Sequence, residues 1–259
     1  MGLLFLAREA TNQKTHFGYE TIDRDQKNGR VAEVFNSVAD NYDLMNDLMS
    51  GGLHRLWKDW YVWQTDARPG ESVLDLAAGT GDIAKRLARR MVRDGDLAGR
   101  LVVSDINEAM LNIGRRRLIQ AGWLQNVEFT LANAEQLPFA DDSFDLITMA
   151  FGLRNVTNQQ QALNEMRRVL KPGGRVLVLE FSQPQHFNRL YDWYSFNVLP
   201  RLGAVFANDR ASYQYLAESI RMHPKQEPLK AMFQAAGLSQ CEYQNLSGGI
   251  CAIHKGVKC

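Results

Sequence analysis

The chain has 259 residues, 45% hydrophobic and 23% charged, the composition of one large globular domain and not of a disordered or fibrous chain. Thirty Lys and Arg against 29 Asp and Glu leave a formal charge of +1, so no general field draws the protein to nucleic acid. No stretch reaches the roughly 18 uninterrupted apolar residues of a spanning helix. The apolar run Leu3 to Ala7 is too short for a signal segment. The cysteines Cys241, Cys251 and Cys259 lack metal or redox spacing and suit a reducing compartment, so a cytoplasmic location is expected.

Residues 1–29 are polar without sustained period and read as a tail that orders only against the body or a ligand. A single domain is expected over 30–259. Its first part, 30–68, carries two amphipathic helices, marked by Val31, Val34, Phe35 and Val38 and by Leu53, Leu56, Trp57 and Trp60 at helical spacing. A polar and aromatic connector, residues 41–47, lies between them. Five short apolar runs then alternate with helical patterns: 73–77, 101–105, 127–131, 144–150 and 175–181 as strands, with helices after the first, second and fourth. Lys171-Pro-Gly-Gly is expected to stop the helix 159–170. The alternation predicts an α/β protein, a doubly wound, mostly parallel Rossmann-like sheet with ligands at the carboxyl ends of its strands. Residues 186–222 break the alternation and read as an inserted helical cap. A helix over 224–236 and two strands, 238–246 and 249–254, close the chain as an antiparallel hairpin.

After the first strand, Gly79-Thr80-Gly81-Asp-Ile-Ala84 has the G-x-G-x-x-A form, which suits NAD and other adenosine ligands alike. Asp105 ends the next strand, 24 residues beyond Gly81, where a carboxylate accepts from both ribose hydroxyls. The bland readings are a plain strand-to-helix turn for the glycines and a helix N-cap for Asp105. Asp75 inside the first strand and Asp82 just after the turn would repel a diphosphate and suit a cationic sulfonium bearing an ammonium group, which favours S-adenosylmethionine. Asn133 and Ala134 follow the third strand, where the adenine edge is expected.

The motifs Thr15-His-Phe-Gly, Val34-Phe-Asn-Ser-Val-Ala, Tyr42-Asp-Leu-Met-Asn-Asp, His54-Arg-Leu-Trp-Lys, Phe151-Gly-Leu-Arg-Asn, Leu179-Glu-Phe-Ser and Tyr215-Leu-Ala-Glu-Ser-Ile extend over nearly the whole chain. On these residues it resembles the class I S-adenosylmethionine-dependent methyltransferases, and more closely the ubiquinone/menaquinone biosynthesis C-methyltransferase family. The resemblance implies methylation of a ring carbon of a polyprenyl quinol, 2-polyprenyl-6-methoxy-1,4-benzoquinol or demethylmenaquinol. It implies cofactor contacts at Thr80, Asp105, Asn133 and Ala134, beside Gly79 and Gly81. One departure is Ala150, where the family often has a hydroxyl residue.

Carbon methylation needs a carbon nucleophile, which a quinol supplies when a phenolic proton leaves and a quinone does not. Arg154 and Asn155, just past the fourth strand, are the candidates to stabilise the phenolate and to orient the hydroxyl. Tyr42 and Asp47 in the connector are the candidates for proton removal or quinol binding. Competing readings make Arg154 an anchor for Glu180 and Asp47 a helix cap. The five histidines lack metal-ligand spacing, so no metal is expected. Leu190 to Phe206 and the group Trp57, Trp60 and Trp63 are candidates for isoprenoid entry, with peripheral contact at the inner membrane face. Methylation of a soluble small molecule, or a non-catalytic cofactor-binding role in a quinone-biosynthesis complex, are the alternatives.

Overall fold

The computed structural model describes residues 14–38, 46–47, 50–123, 125–183 and 210–259. The chain opens with a hairpin of β1 (Lys14–Phe17) and β2 (Glu20–Asp23), followed by α1 (Arg24–Val38) and α2 (Leu53–Gln64). The main run is β3 (Ser72–Leu76), α3 (Asp82–Arg90), β6 (Arg100–Asp105), α4 (Glu108–Gln120), β7 (Val127–Leu131), β8 (Phe144–Ala150), α5 (Gln159–Val169) and β9 (Leu170–Phe181). A two-residue hairpin, β4 (Val92–Arg93) with β5 (Asp96–Leu97), follows α3. The described chain then continues through α6 (Arg210–Met222), α7 (Gln226–Ala235), β10 (Ser239–Leu246) and β11 (Cys251–Val257).

Seven strands form one sheet in the order β10-β11-β9-β8-β3-β6-β7. The five expected strands run parallel, and β11 joins β9 antiparallel with β10 outside it. This is the expected doubly wound sheet with its closing hairpin. The period of two along each strand divides two cores. Val73, Leu101, Leu146 and Leu177 pack with α2, α3 and α4, whereas Leu74, Val102, Ile147 and Val176 pack with α5 and α7.

Three expectations change. The stretch read as a tail carries β1 and β2, and α1 begins at Arg24, not Arg30. Its anchors are distant in sequence: Phe17 stacks on Tyr215 with centroids 4.2 Å apart, and the Tyr19 amide donates to Glu218. Lys171-Pro-Gly-Gly does stop the helix, which ends at Val169, but the motif itself belongs to β9 instead of standing before it. Phe144 pairs with Leu170 and Leu146 with Arg175, so the motif bulges out of the ladder while Lys171 reaches Asp145 at 2.8 Å. Within the expected cap, α6 is a helix packed on the body. Residues 184–209, including Leu190 to Phe206, lie outside the described residues.

Candidate active site

The carboxyl ends of β3, β6, β7 and β8 open into a cleft of about 790 Å³ including its mouth, roofed by Asn28, Val31 and Phe35 of α1. This is the size of a small-molecule site. Gly79, Asp105, Asn133 and Ala134 line it, as their sequence positions predicted. After β3 the backbone turns sharply, with Ala77, Gly79 and Gly81 at positive φ. The Gly79 amide donates to Asp105 Oδ2 at 2.7 Å and the Asn107 amide to Oδ1 at 2.8 Å. Each Asp105 oxygen therefore keeps a lone pair for a ligand hydroxyl. Burial pushes the Asp105 carboxyl above its ordinary range, against the pull of those amides. The helix cap is Asn107, whose side chain accepts from the Met110 amide, so capping does not account for Asp105. Asn133 Oδ1 accepts from the Glu135 amide at 3.0 Å and closes its own turn.

Thr80 and Gly81 lie elsewhere. Thr80 is buried and faces a side pocket with Lys58, Asp75, Ala78 and Asp82, which shares Ala77, Ala150 and Phe151 with the cleft. A Cβ on Gly81 would come within 2.8 Å of Leu118 and 3.1 Å of the Gly114 Cα. Gly81 therefore serves the close packing of α3 on α4, and it borders a further cavity with Thr80 and Asp82. Gly114 is the reciprocal contact, since a Cβ there would meet the Gly79 oxygen at 3.0 Å.

The electrostatic argument from Asp75 and Asp82 needs correction. Asp82 is paired with Lys58 at 2.9 Å and with Arg86, which neutralises the repulsion it was expected to exert on a diphosphate. Asp75, by contrast, has no ion pair among the described residues. Its Oδ1 accepts from Thr148 at 2.8 Å, its Oδ2 is buried without a partner, and burial raises its pKa to about 7. An orphaned carboxylate oxygen beside a side pocket suits an ammonium group. Asp75 and Asp105 are thus the residues that could hold the ammonium and the ribose of such a cofactor.

Among the described residues, Arg154, Asn155 and Asp47 do not form one cluster. Asn155 lines the cofactor cleft, and its Oδ1 accepts from Tyr215 Oη at 3.0 Å. Arg154 does not line that cleft. Its Nη1 lies 2.6 Å from both Glu180 Oε1 and the Phe151 carbonyl, in a pair whose side chains are 3% and 1% exposed. The anchor reading of Arg154 is thus the observed contact. The same loop holds Phe151 at φ 58° and Gly152, where a Cβ would strike that of Ala77 at 2.6 Å. Asp47 is bound by Arg55 through two contacts of 2.7 and 3.1 Å and borders neither large cavity. Tyr42 lies outside the described residues.

A second cavity backs onto the first across Val156. Arg154 lines it together with Thr15, Lys27, Thr157, Asn158 and Tyr215. Lys27 and Tyr215 escaped the sequence reading as site residues, although Tyr215 stands in a motif that carries the resemblance. Among the described residues, no group of three or more His, Cys, Asp or Glu could hold a metal ion.

A family model described as the ubiE/COQ5 methyltransferase family matches residues 23–258. The chain belongs to that family. It is 56% identical over 252 residues to the ubiquinone/menaquinone biosynthesis C-methyltransferase UbiE of Legionella pneumophila strain Paris, covering 96% of this chain and 99% of that protein. It is also 56% identical over 246 residues to the UbiE of Teredinibacter turnerae, covering 94% and 97%. Among solved structures, a SAM-dependent methyltransferase from Aquifex aeolicus aligns with a TM-score of 0.58 at 18% identity, over 78% of this chain and 89% of that one. The [4+2]-cyclase SpnF aligns with a TM-score of 0.63 at 18% identity, over 88% and 94%. These two likenesses show the fold alone, and the second shows that the fold does not set the reaction.

Proposed function

We propose that the protein transfers a methyl group from S-adenosylmethionine to a ring carbon of a polyprenyl quinol, 2-polyprenyl-6-methoxy-1,4-benzoquinol or demethylmenaquinol. The observation that carries this reading is identity of more than half, over nearly the full length, with proteins named for that chemistry. When bound, the cofactor supplies a sulfonium methyl, an electrophile that needs only an aligned carbon nucleophile. Asp105 and Asn133 hold its nucleoside end, and Asp75 receives its ammonium. Phe151 and Phe181, with ring centroids 4.7 Å apart, help keep water from the junction of cleft and side pocket. Asn155, held by Tyr215 at the border of the two cavities, orients the acceptor hydroxyl. Arg154 acts through its pair with Glu180 and positions the loop that carries Asn155.

The acceptor's isoprenoid tail would come from a bilayer, and α2 offers a matching face. Leu53, Leu56, Trp60 and Trp63 are exposed at i, i+3, i+7 and i+10, and the two indoles stack 4.7 Å apart. Trp57, grouped with them in the sequence, is instead buried against Phe181. No helix among the described residues is long and apolar enough to cross a membrane. The face therefore fits peripheral contact at a lipid surface. Sedimentation with vesicles should fall in a Trp60→Glu, Trp63→Glu variant, and unchanged sedimentation would remove this part of the reading.

Labelled S-adenosylmethionine offered to short-tailed demethylmenaquinone and methoxybenzoquinone, each oxidised and reduced, tests the reaction. Product is expected from reduced acceptors only. Cofactor binding without product from any of the four would overturn the assignment.

A further inference from the structure

The second cavity, about 740 Å³ with its mouth, is built from five separated segments: the β1–β2 hairpin, α1, the loop after β8, α6 and α7. It holds two buried cationic side chains, and they differ in one respect. Arg154 is already paired with Glu180 at 2.6 Å. Lys27, only 6% exposed, makes one hydrogen bond among the described residues, to the Val156 carbonyl at 3.1 Å. An ammonium has three donors, so two remain unused. A buried group in that state is costly unless water or a ligand completes it, and the cavity gives access to either. The Arg154 Nε is likewise buried without a partner. Hydroxyl and amide groups of Thr157, Asn158, Gln159 and Tyr215 line the same space. Such a site suits a ligand carrying oxygen atoms with developing negative charge.

Position connects this cavity to the chemistry. Lys27 binds the carbonyl of Val156, the residue common to both cavities, while its neighbour Asn28 lines the cofactor cleft. Tyr215, on the second cavity, holds the Asn155 amide of the first. We propose that the second cavity receives the oxygen-bearing edge of the acceptor ring and that Lys27 takes the phenolic proton. The inference rests on the reading that the acceptor is a hydroxylated ring.

The proton balance is simple. The phenolic O–H bond breaks with its electron pair left on oxygen, and the lone pair of the neutral Lys27 amine forms the new N–H bond. The resulting ammonium stands beside the phenolate and offsets its charge; the proton later passes to bulk water. Arginine is a poor acceptor here because it stays charged throughout the accessible pH range. An ordinary lysine also holds its proton at neutrality, but burial brings Lys27 down to about 8, leaving roughly a tenth of it as amine at pH 7. The groups around it are Glu135, which favours the ammonium, Arg154 on the same cavity, and the neutral His223 directly after α6. His16 and Tyr215 border the same space.

The test uses 4-nitrophenol, whose phenolate absorbs visible light and whose neutral form does not. With S-adenosylhomocysteine present, at about one unit below the probe's free pKa, the wild-type protein should bind it as phenolate. Lys27→Gln should lower the bound phenolate signal tenfold or more, with S-adenosylhomocysteine affinity retained as the measure of folding. Lys27→Arg, which keeps the charge, should restore the absorbance while methyl transfer to reduced quinol stays at least tenfold down and loses its rise toward pH 8. Equal ionisation of the probe by wild type and Lys27→Gln would overturn the proposal, as would a wild-type pH profile in Lys27→Arg. Ionised probe without methylation of any quinol would leave the Lys27 assignment standing and remove the acceptor reading.

Discussion

The two cavities are neighbours made in opposite ways. The cofactor cleft is made of turns, each belonging to one strand and the helix after it, and its polar groups are largely engaged with the backbone beside them, as Asp105 is with Gly79 and Asn107. The second cavity is made of side chains brought together from residues 15 to 232, and Lys27 there is left with unused donors. The first is shaped by hydrogen bonds within its own turns; the second holds a buried ammonium with one hydrogen bond among the described residues. A site that binds one constant molecule and presents it to another gains from that division, since preorganisation holds the donor while spare charge meets the group that changes during reaction.

Breaking the hinge between the cavities should cost most. Arg154→Ala leaves Glu180 buried without its partner, and loss of one member of such a pair destabilises by about 3–5 kcal/mol; urea unfolding measures it, and Arg154→Ala with Glu180→Gln should recover part of the loss. Within the cofactor side, Asp105→Ala removes both the brace on Gly79 and the acceptors for a ribose. Calorimetry should show S-adenosylhomocysteine bound at least tenfold more weakly, corresponding to about 1.5–3 kcal/mol for hydrogen bonds to a charged group. Gly81→Ala should destabilise by about 1–3 kcal/mol through the Leu118 and Gly114 contacts, with less effect on cofactor affinity than Asp105→Ala. The same affinity loss in both variants would mean that Gly81 meets the ligand after all.

On the acceptor side, Tyr215→Phe removes the hydroxyl that holds Asn155. Turnover should fall a few-fold, in keeping with about 1 kcal/mol for one neutral hydrogen bond, at unchanged cofactor affinity. The same region should set acid sensitivity. Burial lowers His223 to about 3 and His254 to about 4, so below pH 6.5 the unfolded chain binds protons that the folded one refuses. Each therefore subtracts up to about 1.4 kcal/mol per pH unit as pH falls. Asp75, raised to about 7, works the other way and favours the folded state as pH falls from 7 toward 4. His223→Gln should flatten the acid limb of stability measured by thermal melts.

What could be read from the sequence follows the same division. Gly79, Asp105, Asn133 and Ala134 were legible because each stands directly after a recognisable strand, so local pattern placed them at one sheet edge. The packing constraint on Gly81 could not be read, since it comes from Leu118 and Gly114 across a helix contact. Asp82 looked like a free carboxylate because Lys58 lies 24 residues away on another helix. Lys27 fell within the polar stretch read as a tail, and only the helix Arg24–Val38 with the hairpin and α6 packed on it makes it buried. Its neighbourhood carried signals in three motifs, those at Thr15, Arg154 and Tyr215, with no pattern to show that they meet.

A crystal structure with S-adenosylhomocysteine and a short-tailed quinol bound together tests the central claim most directly. Nucleoside hydroxyls on Asp105, the ammonium on Asp75 and the acceptor ring reaching Lys27 past Asn155 would be the predicted arrangement. A quinol ring bound away from Lys27, with the second cavity filled by water, would contradict the division of labour between the two cavities.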